Sequence, residues 1–198
     1  MHRSEIINYI IQRTKARAYL EVGVGHGRNF RRIRCPIRIG VEPEPNAKVF
    51  RRFRKLLVHK TSDEFFEANN DTFDVIFIDG LHHADQVEKD ILNSLKILND
   101  KGTIICHDMN PQHQRHQITP QQAGHWNGDC WKAWVKLRSR PDLEMYVVRD
   151  DEGCGVIQRG MQNTIDIDDA DLNWGNLCKH RSEWLNIIPV EEFKARYI

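Results

Sequence analysis

The stretch Tyr19-Leu-Glu-Val-Gly-Val-Gly-His-Gly27 decides the fold of this chain. A short apolar run ends in three glycines at alternate positions, Gly23, Gly25 and Gly27, which predicts a strand that turns through a tight loop. Glycine reaches positive φ without steric cost and has no Cβ, so a ligand can approach the backbone as a helix begins at residues 28–30. The pattern predicts a cofactor site of the nucleoside type.

The spacing of the glycines distinguishes two classes of cofactor. The dinucleotide fingerprint is G-x-G-x-x-G after a strand, whereas this loop reads G-x-G-x-G with Glu21 just ahead of it. With its leading acid, the loop resembles the first motif of class I methyltransferases, which bind S-adenosylmethionine (SAM). That resemblance implies that Glu21, Gly23, Gly25 and Gly27 belong to the cofactor site, and that a second acid ends the next strand.

Two further acids match cofactor positions of that family. The run Ile37-Arg-Ile-Gly-Val-Glu42 is strand-like, and Glu42 at its end is placed to accept the two ribose hydroxyls. Asp63 corresponds to a position that contacts the adenine amino group in the family. An ordinary helix-capping role for Asp63 remains an equal alternative.

Alternation of strands and helices predicts the fold class. Residues 73–79 are nearly all apolar, as in a central strand buried on both faces of a parallel sheet, and residues 102–108 form the fifth strand. The pattern at 85–88 predicts a capping box that opens the intervening helix. Residues 143–148 and 154–158 read as an antiparallel hairpin. We therefore predict an α/β protein with a doubly wound, mostly parallel sheet of seven strands, closed by that hairpin.

The length of 198 residues fits a single domain, which we predict over 1–198. Residues 109–129 lack apolar periodicity and are predicted to form a lid-like loop. Residues 161–198 are predicted to wrap around the domain, with Trp174, Leu177, Trp184, Leu185 and Phe193 as anchors. The five cysteines are odd in number and form no C-x-x-C pair, which indicates neither a disulfide framework nor a cysteine zinc site.

The net charge and the hydropathy of the chain limit the classes of partner that the protein is expected to bind. The net charge of +1 gives no general attraction to nucleic acid or to a membrane surface. There is no apolar run of the length of a signal peptide or a membrane span, so we expect a cytoplasmic protein. The expected partner is a small-molecule acceptor. The sequence does not decide whether the protein forms a homo-oligomer.

The ends of the fourth and fifth strands carry the candidate chemistry. Residues 73–82 and 101–108, within a match over about 18–110, resemble the class I methyltransferases of the methyltransferase domain 24 type, related to sugar and catechol O-methyltransferases. In such enzymes, acids after these two strands ligate Mg²⁺ beside the methyl donor. The resemblance implies that Asp79 and Asp108 are catalytic metal ligands, with Asp79 also in the cofactor site. The family's asparagine after the second acid is Met109 here, with Asn110 one residue further on.

His82 lies three residues after Asp79, where the catechol enzymes carry a catalytic lysine. A neutral imidazole can remove a hydroxyl proton near pH 7, so we predict His82 as the base, with a loop hydrogen bond as the alternative. His107 alternates with Asp108 and is expected to point into the sheet packing. Trp126 is expected to wall the acceptor pocket, and Trp131 and Trp134 to pack in the core.

The sequence thus favours a SAM-dependent methyltransferase that acts on an oxygen of a sugar or another polyhydroxylated small molecule, and the resemblance implies that Mg²⁺ assists. The alternative from another class is a non-catalytic SAM- or nucleotide-binding module or partner subunit. An NAD-dependent oxidoreductase is the third interpretation.

Overall fold

The computed structural model describes residues 1–197 and contains one sheet with helices on both faces. The strands are β1 (Ala18–Val22), β2 (Ile37–Val41), β3 (Leu57–Val58), β4 (Phe73–Ile78), β5 (Leu98–Cys106), β6 (Leu143–Val148), β7 (Cys154–Arg159) and β8 (Ile187–Ile188). The helices are α1 (Arg3–Thr14), α2 (Ala47–Phe53), α3 (Ser62–Ala68), α4 (Ala84–Ile97), α5 (Cys130–Leu137), α6 (Trp174–Leu185) and α7 (Val190–Ala195). None of these helices is long and apolar enough to cross a membrane.

The strand order is β3-β2-β1-β4-β5-β7-β6-β8. Strands β1 to β5 pair in parallel, and β7 pairs antiparallel with both β5 and β6, which confirms the doubly wound sheet and the hairpin. The predicted number of seven strands is wrong, because β8 adds an eighth, parallel to β6. This strand has only two residues, too few for an alternating pattern to be read from the sequence.

Strand β4 shows why the centre of the sheet is almost entirely apolar. Successive side chains of a strand point to opposite faces. Ile76 therefore packs in the layer that contains Ile91 of α4, and Phe77 in the layer that contains Ile10 of α1. All four side chains are fully buried.

The helix predicted after the glycine loop is absent, and a single 3-10 turn, Phe30–Arg32, takes its place. Two local features explain the difference. The Asn29 side chain turns inward and donates to Glu21 Oε2 at 2.9 Å. Pro36 then restricts the residue before it to extended backbone and ends any helical run ahead of β2. Too little chain remains between the loop and β2 for a helix of several turns.

The capping box predicted at residues 85–88 is also wrong. Helix α4 begins at Ala84, and its N-cap residue His83 makes no side-chain capping bond. The Ala84 N–H instead donates to Oδ1 of Asp129 at 2.9 Å. A carboxylate far along the chain thus caps α4 and holds the end of loop 109–129 against it.

Loop 109–129 folds back on itself, although residues 112–115 and 120–125 are exposed. It contains one 3-10 turn, Gln114–Gln117, and the backbone N–H groups of Asn127 and Gly128 both donate to the carbonyl of His116. These bonds hold the two arms of the loop together near the carboxyl end of β5.

The C-terminal segment supplies α6, β8 and α7. Four of the predicted anchors, Leu177, Trp184, Leu185 and Phe193, are buried, and Trp174 is half-buried against the core. The predicted segment 161–198 and the predicted domain 1–198 end at Ile198, which lies outside the described residues. The division of the chain into one domain remains a prediction.

Candidate active site

A cleft of about 1400 Å³ opens at the carboxyl ends of β1, β2, β4 and β5. It is the place where a doubly wound sheet binds ligands. Among the residues that line it are eight of the predicted site residues: Glu21, Gly23, Gly25, Glu42, Asp63, Asp79, His82 and Asp108. The predicted cofactor end and the predicted catalytic end therefore share one cavity.

Backbone hydrogen bonds beyond the strands bring these residues together. The Asp79 N–H donates to the Val22 carbonyl at 2.8 Å, and the His107 N–H donates to the Ile78 carbonyl at 3.0 Å. The Gly23 N–H donates to the Val41 carbonyl at 2.9 Å. The backbone hydrogen bonding between neighbouring strands thus continues one residue past the ends of β1, β4 and β5. These bonds fix the positions of the side chains that follow each strand.

The three glycines of the loop all have positive φ but serve different purposes. A Cβ on Gly23 would lie 2.2 Å from the Asp79 carbonyl oxygen, so glycine is required there for two strand ends to meet. A Cβ on Gly25 would have no atom within 4 Å, so its backbone faces open space in the cleft. A Cβ on Gly27 would meet Val49 of α2 at 3.0 Å, which indicates a packing role rather than contact with a cofactor.

Glu21 lies beneath the loop and is almost completely buried. Its Oε2 accepts hydrogen bonds from Tyr19 Oη at 2.5 Å and from Asn29 Nδ2 at 2.9 Å. Burial outweighs these two bonds and raises the pKa of Glu21 to about 8. Glu21 is therefore mainly protonated at neutral pH, and its assignment to the cofactor site remains a prediction.

Glu42 and Asp63 lie on the cleft wall and already have partners within the chain. Glu42 Oε2 accepts from the Gly25 N–H at 2.7 Å, which ties the end of β2 to the glycine loop. Asp63 accepts from Lys89 Nζ at 2.6 Å and from Gln86 Nε2 at 3.1 Å. The N-cap of α3 is Thr61, paired with Glu64 in a capping box, so the capping alternative for Asp63 is wrong.

The two acids at the ends of β4 and β5 converge on His82. His82 Nε2 lies 3.4 Å from Asp79 Oδ1, and His82 Nδ1 lies 3.3 Å from Asp108 Oδ2. Asp108 has a positive φ of 63°, and its Oδ1 accepts from Asn127 Nδ2 at 2.7 Å. The turned backbone and the amide hold Asp108 toward the histidine rather than toward solvent.

His107 also faces this cluster, so the expectation that it points into the sheet packing is wrong. Its Nδ1 lies 3.1 Å from Asp108 Oδ2 and 3.4 Å from Asp79 Oδ1. His107 follows the alternation of β5 onto the same face as Ile105, where Arg3 and Asp79 lie, and Asp108 at positive φ turns its own side chain toward the same cluster. Although burial disfavours the charged imidazole, Asp79 and Asp108 raise the pKa of His107 to about 10.

Arg3 is a site residue that the sequence analysis missed. Its Nη1 lies 3.0 Å from Asp79 Oδ2 and 2.9 Å from His107 Nδ1, and its Nε lies 3.3 Å from Asp151 Oδ2. Asp79, Asp108 and Asp151 thus surround the guanidinium of Arg3 and the ring of His107. No motif marks Arg3, because it lies in the first turn of α1, far from the glycine loop in the sequence.

The same contacts set the pKa values of Asp79 and His82. Burial disfavours the Asp79 carboxylate, but His107 and His82 outweigh it and lower the pKa of Asp79. Burial likewise disfavours charged His82, but contact with Asp79 and the charges of Asp108 and Asp79 raise its pKa above the ordinary value. The contacts that favour the carboxylate form of Asp79 thus also favour the charged forms of His82 and His107.

Trp126 lines the cleft, with its ring stacked on that of His82 at 5.3 Å between centroids, and its role as a wall of the acceptor pocket remains a prediction. Its Nε1 donates to the Ile118 carbonyl at 2.7 Å, which fixes the ring within loop 109–129. Trp131 and Trp134 are fully buried in the core, as expected.

Comparison with known proteins agrees with this geometry. Residues 20–109 match the family of methyltransferase domains. No curated protein matches the sequence significantly.

Solved structures with low sequence identity share the fold. A proposed O-methyltransferase from Klebsiella pneumoniae superposes with a TM-score of 0.61 at 16% identity, covering 80% of each chain. A methyltransferase from Podospora anserina bound to SAH gives 0.59 at 16% identity, over 80% of this chain and 78% of that one. An O-methyltransferase from Bacillus cereus in complex with SAH gives 0.55 at 15% identity, over 81% and 80%.

The glycine spacing distinguished a SAM site from a dinucleotide site. The family match favours the SAM-binding methyltransferase over the NAD-dependent oxidoreductase. The strand order and the shared fold agree with that assignment. The chain therefore has the fold of the class I methyltransferases, and its residues 20–109 match the methyltransferase domain family.

Proposed function

We propose that this protein transfers the methyl group of SAM to a hydroxyl oxygen of a sugar or another polyhydroxylated small molecule. One observation carries the proposal: the glycine loop and the cluster of Asp79, His82 and Asp108 line the same cleft. A donor held at the loop would present its methyl group toward acceptor oxygens held at the cluster. Proximity and alignment of the two reactants are the main requirements of such a displacement.

The residues of the cleft fit SAM. The open space above Gly25 leaves room for a ligand against the backbone, and Glu42 and Asp63 offer carboxylate oxygens to hydroxyl and amino groups. When bound, SAM supplies an electrophilic methyl group on a positively charged sulfur. The ionised Asp79 at the end of β4 provides negative charge near that position.

His82 is proposed as the group that takes the acceptor proton. Asp79 and Asp108 orient its ring from two sides and make it a stronger base than free imidazole. Its stacking on Trp126 fixes the plane of the ring. Arg3 contacts Asp79 and His107 contacts Asp108, which holds the two carboxylates in place.

The sugar or polyol assignment is supported by the lining of the cleft. Trp126 presents an aromatic face of the kind that stacks on sugar rings, while histidine and carboxylate side chains surround it. Arg28, Arg31 and Arg32 also line the cavity, and an acceptor that carries an anionic group would be attracted to them.

A divalent ion at Asp79 and Asp108 is a second candidate feature of the mechanism. Donor atoms of Asp79, His82 and Asp108 all lie within 4.8 Å of one another, a spacing that fits one ion, and carboxylates are ligands that Mg²⁺ prefers. Such an ion would acidify a bound hydroxyl. The same carboxylates are balanced here by Arg3 and two imidazoles, so ion binding would compete with those cations and with protons.

The decisive experiment measures cofactor binding and methyl transfer separately. Calorimetric titration should show binding of SAM and SAH but not of NAD. Deuterium-labelled SAM, incubated with a panel of sugars, polyols and catechols, should yield a product heavier by one labelled methyl group in mass spectrometry. Binding without transfer to any acceptor class would favour a non-catalytic SAM-binding module.

The metal is tested on the same product. Activity that survives excess chelator, with no divalent ion retained by the protein, would exclude the ion and leave His82 to act with Arg3 and His107. Loss of activity, with recovery on adding Mg²⁺ or Mn²⁺ to the wild type but not to Asp108→Asn, would support it.

A further inference from the structure

A second group of metal-ligating side chains lies at the rim of the cleft, apart from Asp79 and Asp108. His116 and His125 come from loop 109–129, and Glu152 comes from the turn between β6 and β7. One ligand atom of each lies within 4.8 Å of the other two. Of the candidate clusters within residues 1–197, this one combines two imidazoles with a carboxylate.

The spacing of the ligand atoms fits a small tetrahedral ion. His125 Nε2 lies 3.3 Å from Glu152 Oε2. Zinc bonds of about 2.0–2.2 Å to imidazole nitrogen and carboxylate oxygen place neighbouring tetrahedral ligands roughly 3.4 Å apart. The rings of His116 and His125 meet edge to face, with centroids 4.6 Å apart, so both can approach a common point.

An independent observation points to a missing ligand. His116 is 7% exposed, and its Nδ1 is buried with no hydrogen-bond partner. Buried polar atoms in native proteins are normally paired, so an ion or a water would satisfy this nitrogen. The backbone is already fixed, because the His116 carbonyl accepts the N–H groups of Asn127 and Gly128.

We propose that His116, His125 and Glu152 bind one Zn²⁺, which fastens loop 109–129 to the β6–β7 turn. Two imidazoles and one carboxylate suit zinc, whereas Mg²⁺ and Ca²⁺ require oxygen ligands. His125 and Glu152 line the cleft, and the next residue, Trp126, stacks on His82. The ion would therefore fix the acceptor wall of the cleft. The site itself does not depend on the methyltransferase activity.

The test uses Zn²⁺ alone, titrated calorimetrically into the full chain after treatment with chelator. We expect one equivalent per chain, with affinity at least tenfold weaker in His116→Gln, His125→Gln and Glu152→Gln. Matched controls are His180→Gln, an exposed histidine on α6, together with Asp79→Asn and Asp151→Asn from the other two clusters. These three variants should retain the wild-type affinity.

A second readout reports on the loop itself. Arg115 is exposed in the 3-10 turn next to His116, and zinc should slow tryptic cleavage there in the wild type and in Asp79→Asn but not in His125→Gln. The side chain of His125 is 48% exposed and that of Glu152 is 32% exposed, so these two variants should fold even if His116→Gln does not. Unchanged zinc affinity in both would overturn the proposal. Loss of zinc binding in Asp79→Asn alone would equally overturn it, by placing the ion at the other cluster.

Discussion

Nη1 of Arg3 lies 3.0 Å from Oδ2 of Asp79, and this contact joins helix α1 to the candidate active site. The two side chains are only 26% and 18% exposed, so water screens the pair less than it screens a surface ion pair. The Arg3 backbone N–H also donates to Asp151 at 2.6 Å. The first turn of α1 therefore forms part of the cleft wall and balances its acids.

We expect Arg3→Gln to destabilise the protein by about 2 kcal/mol, because the substitution leaves two partly buried carboxylates short of a cation. Methyl transfer should fall more than SAM affinity, since Arg3 contacts the acceptor end. Urea unfolding and calorimetry measure the two effects. Arg34→Gln, at an exposed position, should stay within about 0.5 kcal/mol of wild type. If the two variants had the same free energy of unfolding and the same rate of methyl transfer, this role for Arg3 would be contradicted.

The glycine loop allows fold and binding to be separated. Gly25→Val should fold, at a cost of about 1–2 kcal/mol for a residue other than glycine at φ 47°, but should lose SAM affinity because its side chain enters the cleft. Gly23→Ala should instead fail to fold stably, since its Cβ would lie 2.2 Å from the Asp79 carbonyl oxygen. Circular dichroism and SAM titration distinguish the outcomes. Normal SAM binding by folded Gly25→Val would place the cofactor elsewhere.

The sequence reveals the part of the site that short motifs encode. The glycine loop, Glu42 and the strand-end acids Asp79 and Asp108 follow predicted strands directly, so the topology alone places them at one edge of the sheet. Arg3 and Asn127 could not be found this way. Both reach the cluster through tertiary packing of segments that have no fixed register to the strands.

Glu21 should make stability depend on pH. Its pKa is about 8 in the folded protein and near 4.5 when unfolded, because burial disfavours the carboxylate. A raised folded-state pKa means that its contribution is fully present below about pH 4.5 and is lost as the pH rises through 8. The loss is on the order of a few kcal/mol. His107, with a raised pKa of about 10, adds a further loss from about pH 6.5 to 10.

The variant Glu21→Gln isolates this effect. The amide oxygen of this variant can still accept hydrogen bonds from Tyr19 and Asn29. Because the amide has no proton to lose in this range, the free energy of unfolding of the variant should fall less than that of the wild type between pH 5 and 8. Glu21→Ala should be destabilised at every pH, because it leaves both donors unpaired in the core. Urea unfolding across the pH range provides the comparison. The same pH slope in wild type and Glu21→Gln would show that Glu21 is ionised in the folded state.

The fold was more predictable than its irregular connections. Strands such as β4 have a short, nearly continuous apolar pattern that is typical of a buried central strand. The short 3-10 turn after the loop could not be read, because the inward turn of Asn29 toward a buried acid depends on the folded core. Likewise, the residue that caps α4 is Asp129, which is distant in the sequence. The local pattern at 85–88 pointed to a nearer residue, because a sequence pattern shows only neighbours along the chain.

The final prediction concerns the proton that His82 is proposed to accept. Burial opposes a charged imidazole, but Asp79 and Asp108 raise its pKa above 6.5, so the reactive neutral form should become populated only above that pH. The rate constant kcat should therefore rise with pH through an inflection above 6.5. Asp108→Asn removes one of the charges that raise the pKa and should move the inflection to lower pH.

His82→Gln should remove the inflection and lower kcat by about 10² to 10⁴, while SAM affinity stays unchanged. His180→Gln serves as the control on an exposed histidine. An inflection that persists unchanged in His82→Gln would assign the base to another residue, and the neighbouring His107 would then be the next to substitute.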